Sequence, residues 1–180
     1  MVMIRTLAGL FVLLCAVIAQ AANMPPPIEN EIGNARLAGQ GHYRWFGFKI
    51  YDAQLWVGDQ GYRPHAPESA KFALSLTYAR DLYGKHIART SLDEIRKLGF
   101  GTSEQHEVWL KRMEAMFPDV HEGTRISGIY LPDHGARFYL NGKLLGEIAD
   151  SDFARAFFAI WLDPRTSASS LRNSLLSSAQ

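Results

Sequence analysis

Between Gly41 and Val57 the chain reads GHYRWFGFKIYDAQLWV, with nine aromatic or branched apolar side chains in seventeen residues. That density suits the pleated, half-buried surface of a β-strand. Gly47 interrupts the run and marks a bulge, a tight hairpin or a close backbone approach. Beyond it Lys49, Tyr51, Ala53, Leu55 and Val57 alternate with Phe48, Ile50, Asp52, Gln54 and Trp56. Each face is mostly apolar, so the strand is predicted to be covered on both sides. Arg44 then projects from an oily sheet toward a cavity, where an unpaired cation is costly and calls for an acidic partner or ligand.

The period changes several times along the chain. Asn23 to Asn34, with prolines at 25, 26 and 27, reads as an extended arm. Gly58 to Ser69 is a surface loop, and Phe72 to Tyr78 (FALSLTY) alternates as a second strand. Asp81 is a candidate N-cap for a helix near 82–98, with Gly99 as its stop. Tyr83, Ile87, Thr90 and Glu94 share one face of that helix, so a phenol and a hydroxyl stand about 10 Å apart along its axis. Without further context the plainer reading of that pair is local packing or capping.

Thr102 to Gln105 has the form of a capping box opening a second amphipathic helix that Pro118 ends. A three-strand meander follows over Thr124–Leu131, Ala136–Leu140 and Lys143–Ile148. Its last turn is Asn141-Gly142, the strongest short hairpin signal. Asp150 or Ser151 caps the apolar stripe FARAFFAIWL, and Ser167 to Leu176 reads as a short last helix. Strands, two helices, strands, then helices predict an α+β domain with a mainly antiparallel sheet.

Arg5, the apolar run Leu7–Ile18 and Ala19-Gln20-Ala21 have the form of a secretory signal peptide, predicted over residues 1–21. The run is too short to span a bilayer as a helix, so no membrane span is expected in the mature chain. The address it implies is a bacterial periplasm. Residues 22–38 are assigned to the arm and 39–180 to a single domain. Cys15, the one cysteine, lies inside the leader, which excludes disulfides and thiolate chemistry from the mature chain. Nineteen basic side chains face eighteen acidic ones without a basic cluster, so nucleic acid is not an expected partner.

The chain has no G-x-S-x-G, Walker loop, H-E-x-x-H or dinucleotide fingerprint. Its six histidines lack ligand spacing, so neither a metal nor another cofactor is expected. Arg44 in an aromatic strand, Tyr83 and Thr90 on a helix and a large apolar inventory remain. That set suits a small hydrophobic ligand with an anionic or oxyanion end.

Four segments in their order, GHYRWFGFKIYDAQLWV, FALSLTYARDLYGKHIARTSLDEIRKLG, GTRISGIYLPDHGARFYLNGKLLGEI and FARAFFAIWLDPRT, resemble a bacterial member of the chalcone isomerase-like family. The resemblance implies an open-faced β-sandwich, a long antiparallel sheet backed by helices with a ligand cleft between them. Plant enzymes of the family cyclise a chalcone to a flavanone, using an arginine for the phenoxide and a helical tyrosine and asparagine for the enolate. Matching backward from Leu98-Gly99 sets Tyr83 at the tyrosine position and Thr90 at the asparagine position. Arg44 stands for the arginine in a shorter segment, and Tyr51 falls where a catalytic threonine would stand. Arg44, Tyr83 and Thr90 are thus the catalytic candidates, joined by Tyr51 as candidate ligand-binding residues.

Fatty-acid-binding relatives keep an arginine and a tyrosine for a carboxylate, which Arg44 and Tyr83 could supply. The leading expectation is an exported, non-catalytic binder of a small hydrophobic acid such as a fatty acid. An isomerase or intramolecular lyase acting on an enone phenol is the alternative. A partner-binding envelope protein gains if Trp45, Trp56 or Trp161 lies in an exposed apolar patch.

Overall fold

Phe46 and Gly47 both have positive φ, 46° and 80°, and there the aromatic stretch folds back on itself as a two-residue hairpin. In the computed structural model, which describes residues 24–179, β1 (Arg36–Trp45) and β2 (Phe48–Val57) flank that turn. β3 (Phe72–Tyr78), β4 (Arg125–Leu131), β5 (Gly135–Leu140) and β6 (Lys143–Ile148) follow. All pair antiparallel with their sequence neighbours, so the six strands form one meander in chain order. The turn at Asn141-Gly142 has φ values of 48° and 88°, as its sequence predicts. The signal peptide assigned to residues 1–21 lies outside the described residues.

Four helices cover one face of the sheet: α2 (Gly84–Leu98), α3 (Ser103–Met116), α4 (Ser151–Leu162) and α5 (Ser169–Leu175). Thr102 caps α3 through a complete capping box with Gln105, and Asp150 caps α4 by accepting from the Phe153 N–H. α4 is apolar nearly all round because it lies between the sheet and α2, and its Phe153, Phe157 and Phe158 join Phe138 of β5 in an aromatic core. The architecture is α+β, an open antiparallel sheet backed by helices on one side.

Three details depart from the pattern-based expectations. The arm predicted to be extended contains a helix, α1 (Pro26–Ile32), because proline in a first turn needs no N–H partner and its fixed φ is already helical. Ile28 of α1 is buried with Trp56, Ala73, Ile129 and Leu131 on the outer face of the sheet. Among the described residues that face is covered only there. Nearer the β1–β2 turn it carries the Lys49–Asp52 ion pair, the Gln54–Gln40 hydrogen bond and the Arg125–Thr77 hydrogen bond, so β2 lacks the cover on both sides along its whole length that its alternation predicted. The cap of α2 also differs. Tyr83 is the N-cap and Gly84 is the first helical residue, its N–H donating to the Asp119 carboxylate at 2.8 Å instead of to Asp81.

Candidate ligand-binding site

A cavity of about 570 Å³ lies between the inner face of the sheet and helices α2 and α4. Its floor is built by strand alternation: Leu74, Leu76 and Tyr78 of β3, with Ile126 and Gly128 of β4. Phe157, Phe158, Ile160 and Trp161 of α4 form one wall. The opposite wall is a stripe of α2, where Ile87, Thr90, Ser91, Glu94 and Lys97 recur at three- and four-residue intervals. Gly128 leaves room in the floor, since a Cβ there would meet the Phe138 and Phe158 rings at 3.2 Å.

Three phenols line the cavity across three adjacent strands. Tyr43 of β1 pairs in register with Tyr51 of β2, which pairs with Tyr78 of β3. The Tyr43 and Tyr51 rings stack at 5.3 Å between centroids, and the Tyr51 and Tyr78 rings meet edge-on at 6.0 Å. The Trp161 indole N–H donates to the Tyr51 hydroxyl at 3.0 Å, which leaves the phenol proton free to donate. Burial raises the Tyr51 and Tyr78 hydroxyls far above the ordinary phenol range. They are neutral donors at any physiological pH.

Charged groups ring the mouth. Arg80, two residues past Tyr78, lies 5.5 Å over the Phe48 ring and has no carboxylate partner among the described residues. Lys97 is neutralised by Glu94, 2.6 Å away, whose second oxygen accepts from Ser167 at 2.7 Å. Burial opposes the Glu94 charge, but the bonds from Lys97 and Ser167 outweigh it and hold the carboxyl below the usual range.

Of the four residues nominated from sequence, Tyr51 and Thr90 line this cavity and Arg44 and Tyr83 do not. Arg44 sits between Tyr43 and Trp45, both of which line the cavity, so alternation turns it to the outer face. There its guanidinium donates to the Gly47 carbonyl across the turn at 3.0 Å. Tyr83 is 75% exposed because its N-cap backbone is extended, which takes its side chain off the helix face that Thr90 occupies. The pair expected to converge over the cleft is therefore not brought together. Tyr43, Tyr78, Arg80 and Trp161 line the cavity with Tyr51 instead. FALSLTY already carried a signal for Tyr78, since its alternation aligns Tyr78 with Leu74 and Leu76.

This arrangement of a helix-backed meander with an inner cleft coincides with what the sequence comparisons find. The signature of chalcone isomerase-like proteins matches residues 18–177. The chain belongs to the chalcone isomerase-like family. It is 33% identical over 138 residues to an uncharacterized protein of Haemophilus influenzae, a match covering 77% of this chain and 66%, just under two thirds, of that relative's length. Among solved structures it resembles an Arabidopsis thaliana fatty-acid binding protein with a TM-score of 0.65 over 82% of this chain and 89% of the other. At 14% identity that likeness establishes the chalcone isomerase-like fold alone. Among the described residues no helix is long and apolar enough to cross a membrane, and no group of three His, Asp or Glu side chains is arranged to hold a metal ion.

Proposed function

We propose that this chalcone isomerase-like protein is an exported, non-catalytic carrier of a small hydrophobic acid such as a fatty acid. The observation that carries the reading is an apolar cavity whose lining also holds neutral phenols and a guanidinium. Neutral phenols of Tyr51 and Tyr78 and the guanidinium of Arg80 line it together with Leu74, Ile126, Phe157 and Phe158, while Thr90, Ser91 and the Glu94–Lys97 pair add polar groups on the α2 wall. A carboxylate held by Arg80 and the two phenols receives charge-assisted hydrogen bonds, while each methylene of the tail contributes about 0.8 kcal/mol on burial. The volume falls within the roughly 300–1,000 Å³ typical of small-molecule sites. The fatty-acid binding protein of Arabidopsis thaliana, which shares the fold, is consistent with such a cargo. Export rests on the leader-like segment of residues 1–21.

The cyclase reading finds no matching support, because the residues aligned with the phenoxide-binding arginine and the enolate-binding tyrosine stand outside the cavity. Rate acceleration needs donors fixed where charge develops, which is more than a carrier requires.

The test is extraction of the purified protein followed by mass spectrometry, then calorimetric titration of the delipidated protein with fatty acids of increasing chain length. Stoichiometric binding that tightens with chain length, and is weaker for the matching alcohols, is expected. No binding of any chain length, or equal binding of acid and alcohol, would overturn the reading.

A further inference from the structure

The β1–β2 hairpin ends in three exposed aromatic rings that no core packing requires. Trp45 is 62% exposed, Phe46 82% and Phe48 65%. Phe46 also holds a left-handed backbone at φ 46°, a position where a two-residue turn ordinarily takes Asn, Asp or Gly. A bulky apolar residue there costs stability twice, by strain and by exposure, and such costs concentrate at working surfaces. The Trp45 and Phe46 rings meet edge-on at 4.7 Å, which makes the tip one apolar knob.

Two cations without a carboxylate partner among the described residues flank the knob. Arg44 braces the turn through the Gly47 carbonyl, and Arg80 lies over the Phe48 ring. The acids nearby are Asp52, which pairs with Lys49 at 2.6 Å, and the exposed Asp81, which stands 3.3 Å from the His121 ring. Trp45 and Arg80 also line the cavity mouth, so tip and opening are continuous.

We propose that this hairpin docks the protein on an anionic lipid bilayer, with Trp45, Phe46 and Phe48 entering the headgroup region and Arg44 and Arg80 facing its phosphates. Aromatic rings with adjacent cations are the side chains that bilayer interfaces favour. A protein partner fits less well. Three aromatic side chains, at roughly 150–250 Å² each, fall short of the roughly 800 Å² per side of a stable protein interface. The inference extends the carrier reading, since a docked mouth would receive its cargo directly from the membrane, but it stands on the tip residues alone.

The experiment is tryptophan emission of the purified full chain mixed with vesicles of phosphatidylcholine alone or with phosphatidylglycerol, using acyl-brominated lipid as quencher. Trp56, Trp109 and Trp161 are buried, so quenching reports Trp45. Quenching is expected with the anionic vesicles and should fall at least tenfold in affinity in the double variant F46N/F48S. Asn suits the left-handed φ at position 46, and neither position lines the cavity. Both proteins carry the same N-terminal segment, so the difference belongs to the tip. Unquenched wild-type emission, equal quenching with neutral vesicles, or vesicle binding unchanged in the variant would each overturn the proposal. Fatty-acid titration of the same variant in solution separates the two readings. Retained fatty-acid binding with lost docking in the variant supports the tip proposal, and anionic-vesicle quenching of a wild type that binds no fatty acid, lost in the variant, would leave docking standing while the carrier reading falls.

Discussion

The hydroxyl of Tyr51 accepts a hydrogen bond from the indole N–H of Trp161 at 3.0 Å, joining β2 to α4 across the cavity. The bond fixes which way the phenol proton points. Among the described residues the Tyr51 hydroxyl has no acceptor for its own proton, which leaves that donor for an occupant of the cavity. Tyr51→Phe should therefore do two separable things. It strands a buried indole N–H, lowering stability by about 1–3 kcal/mol in urea unfolding, and it removes a donor to the bound acid. A charge-assisted hydrogen bond is worth about 1.5–3 kcal/mol, so fatty-acid affinity should fall about tenfold or more by calorimetry. Trp161→Phe, by contrast, should cost stability while keeping the Tyr51 donor.

Arg80 and Arg44 are predicted to behave differently although they lie near the same hairpin. Arg80 lines the cavity and Arg44 faces the other side of the sheet. Arg80→Gln should weaken binding of a fatty acid in solution by about tenfold and leave the matching fatty alcohol unaffected, because only the acid carries a charge for the guanidinium. Arg44→Gln should change neither. An equal loss for both variants would show that the cavity does not select the anionic end through Arg80.

The contrast between these arginines also explains how far the sequence could be read. Strand period, the Asn141-Gly142 turn and the Thr102–Gln105 capping box are local signals with local causes, and the structure follows them. The facing of Arg44 is not local. Period two places it opposite Tyr43 and Trp45, but which set turns inward depends on the helices that cover the sheet. Ile50 adds to the ambiguity. Tyr43 pairs with Tyr51 and Arg44 with Lys49, so Ile50 is an extra residue in β2, and this bulge lets consecutive Ile50 and Tyr51 both line the cavity. For Tyr83 the difference is two residues of helix start: α2 begins at Gly84 instead of near 82, and a residue outside the helix does not share its face.

That late start of α2 is imposed by packing. A Cβ on Gly84 would lie 2.0 Å from the Phe117 carbonyl oxygen and 2.7 Å from the Pro118 backbone, so only glycine lets the helix begin against the end of α3. Gly84→Ala should lower stability by about 1–3 kcal/mol or more, since backbone must move to accommodate it. Gly99→Ala provides the comparison. Gly99 has φ 79° and open space around its Cβ position, so that substitution carries only the left-handed strain of about 1–2 kcal/mol. Thermal unfolding of the two variants should rank Gly84→Ala as the more destabilised, and the reverse order would contradict the close approach.

Acid should loosen α1 before the rest of the fold. The Glu31 carboxylate of α1 accepts from the Tyr139 hydroxyl at 2.6 Å and from Arg137, which also pairs with Glu147 at 2.8 Å. Burial raises the Glu31 carboxyl, but the hydrogen bonds from Tyr139 and Arg137 outweigh it and hold the group below its ordinary value of 4.5. A carboxyl with a depressed folded value binds fewer protons in the native state than in the unfolded one, so its contribution is complete above the unfolded value and is lost as pH falls through the folded one. Glu31→Gln should thus be less stable than the parent by about 1–3 kcal/mol at neutral pH. The gap should close as pH falls below about 4.5 and the parent carboxyl itself takes up a proton. Hydrogen exchange of the α1 amides should quicken over the same range. A gap of constant size from neutral to acid pH would mean that the Glu31 charge contributes nothing to holding α1 on the sheet.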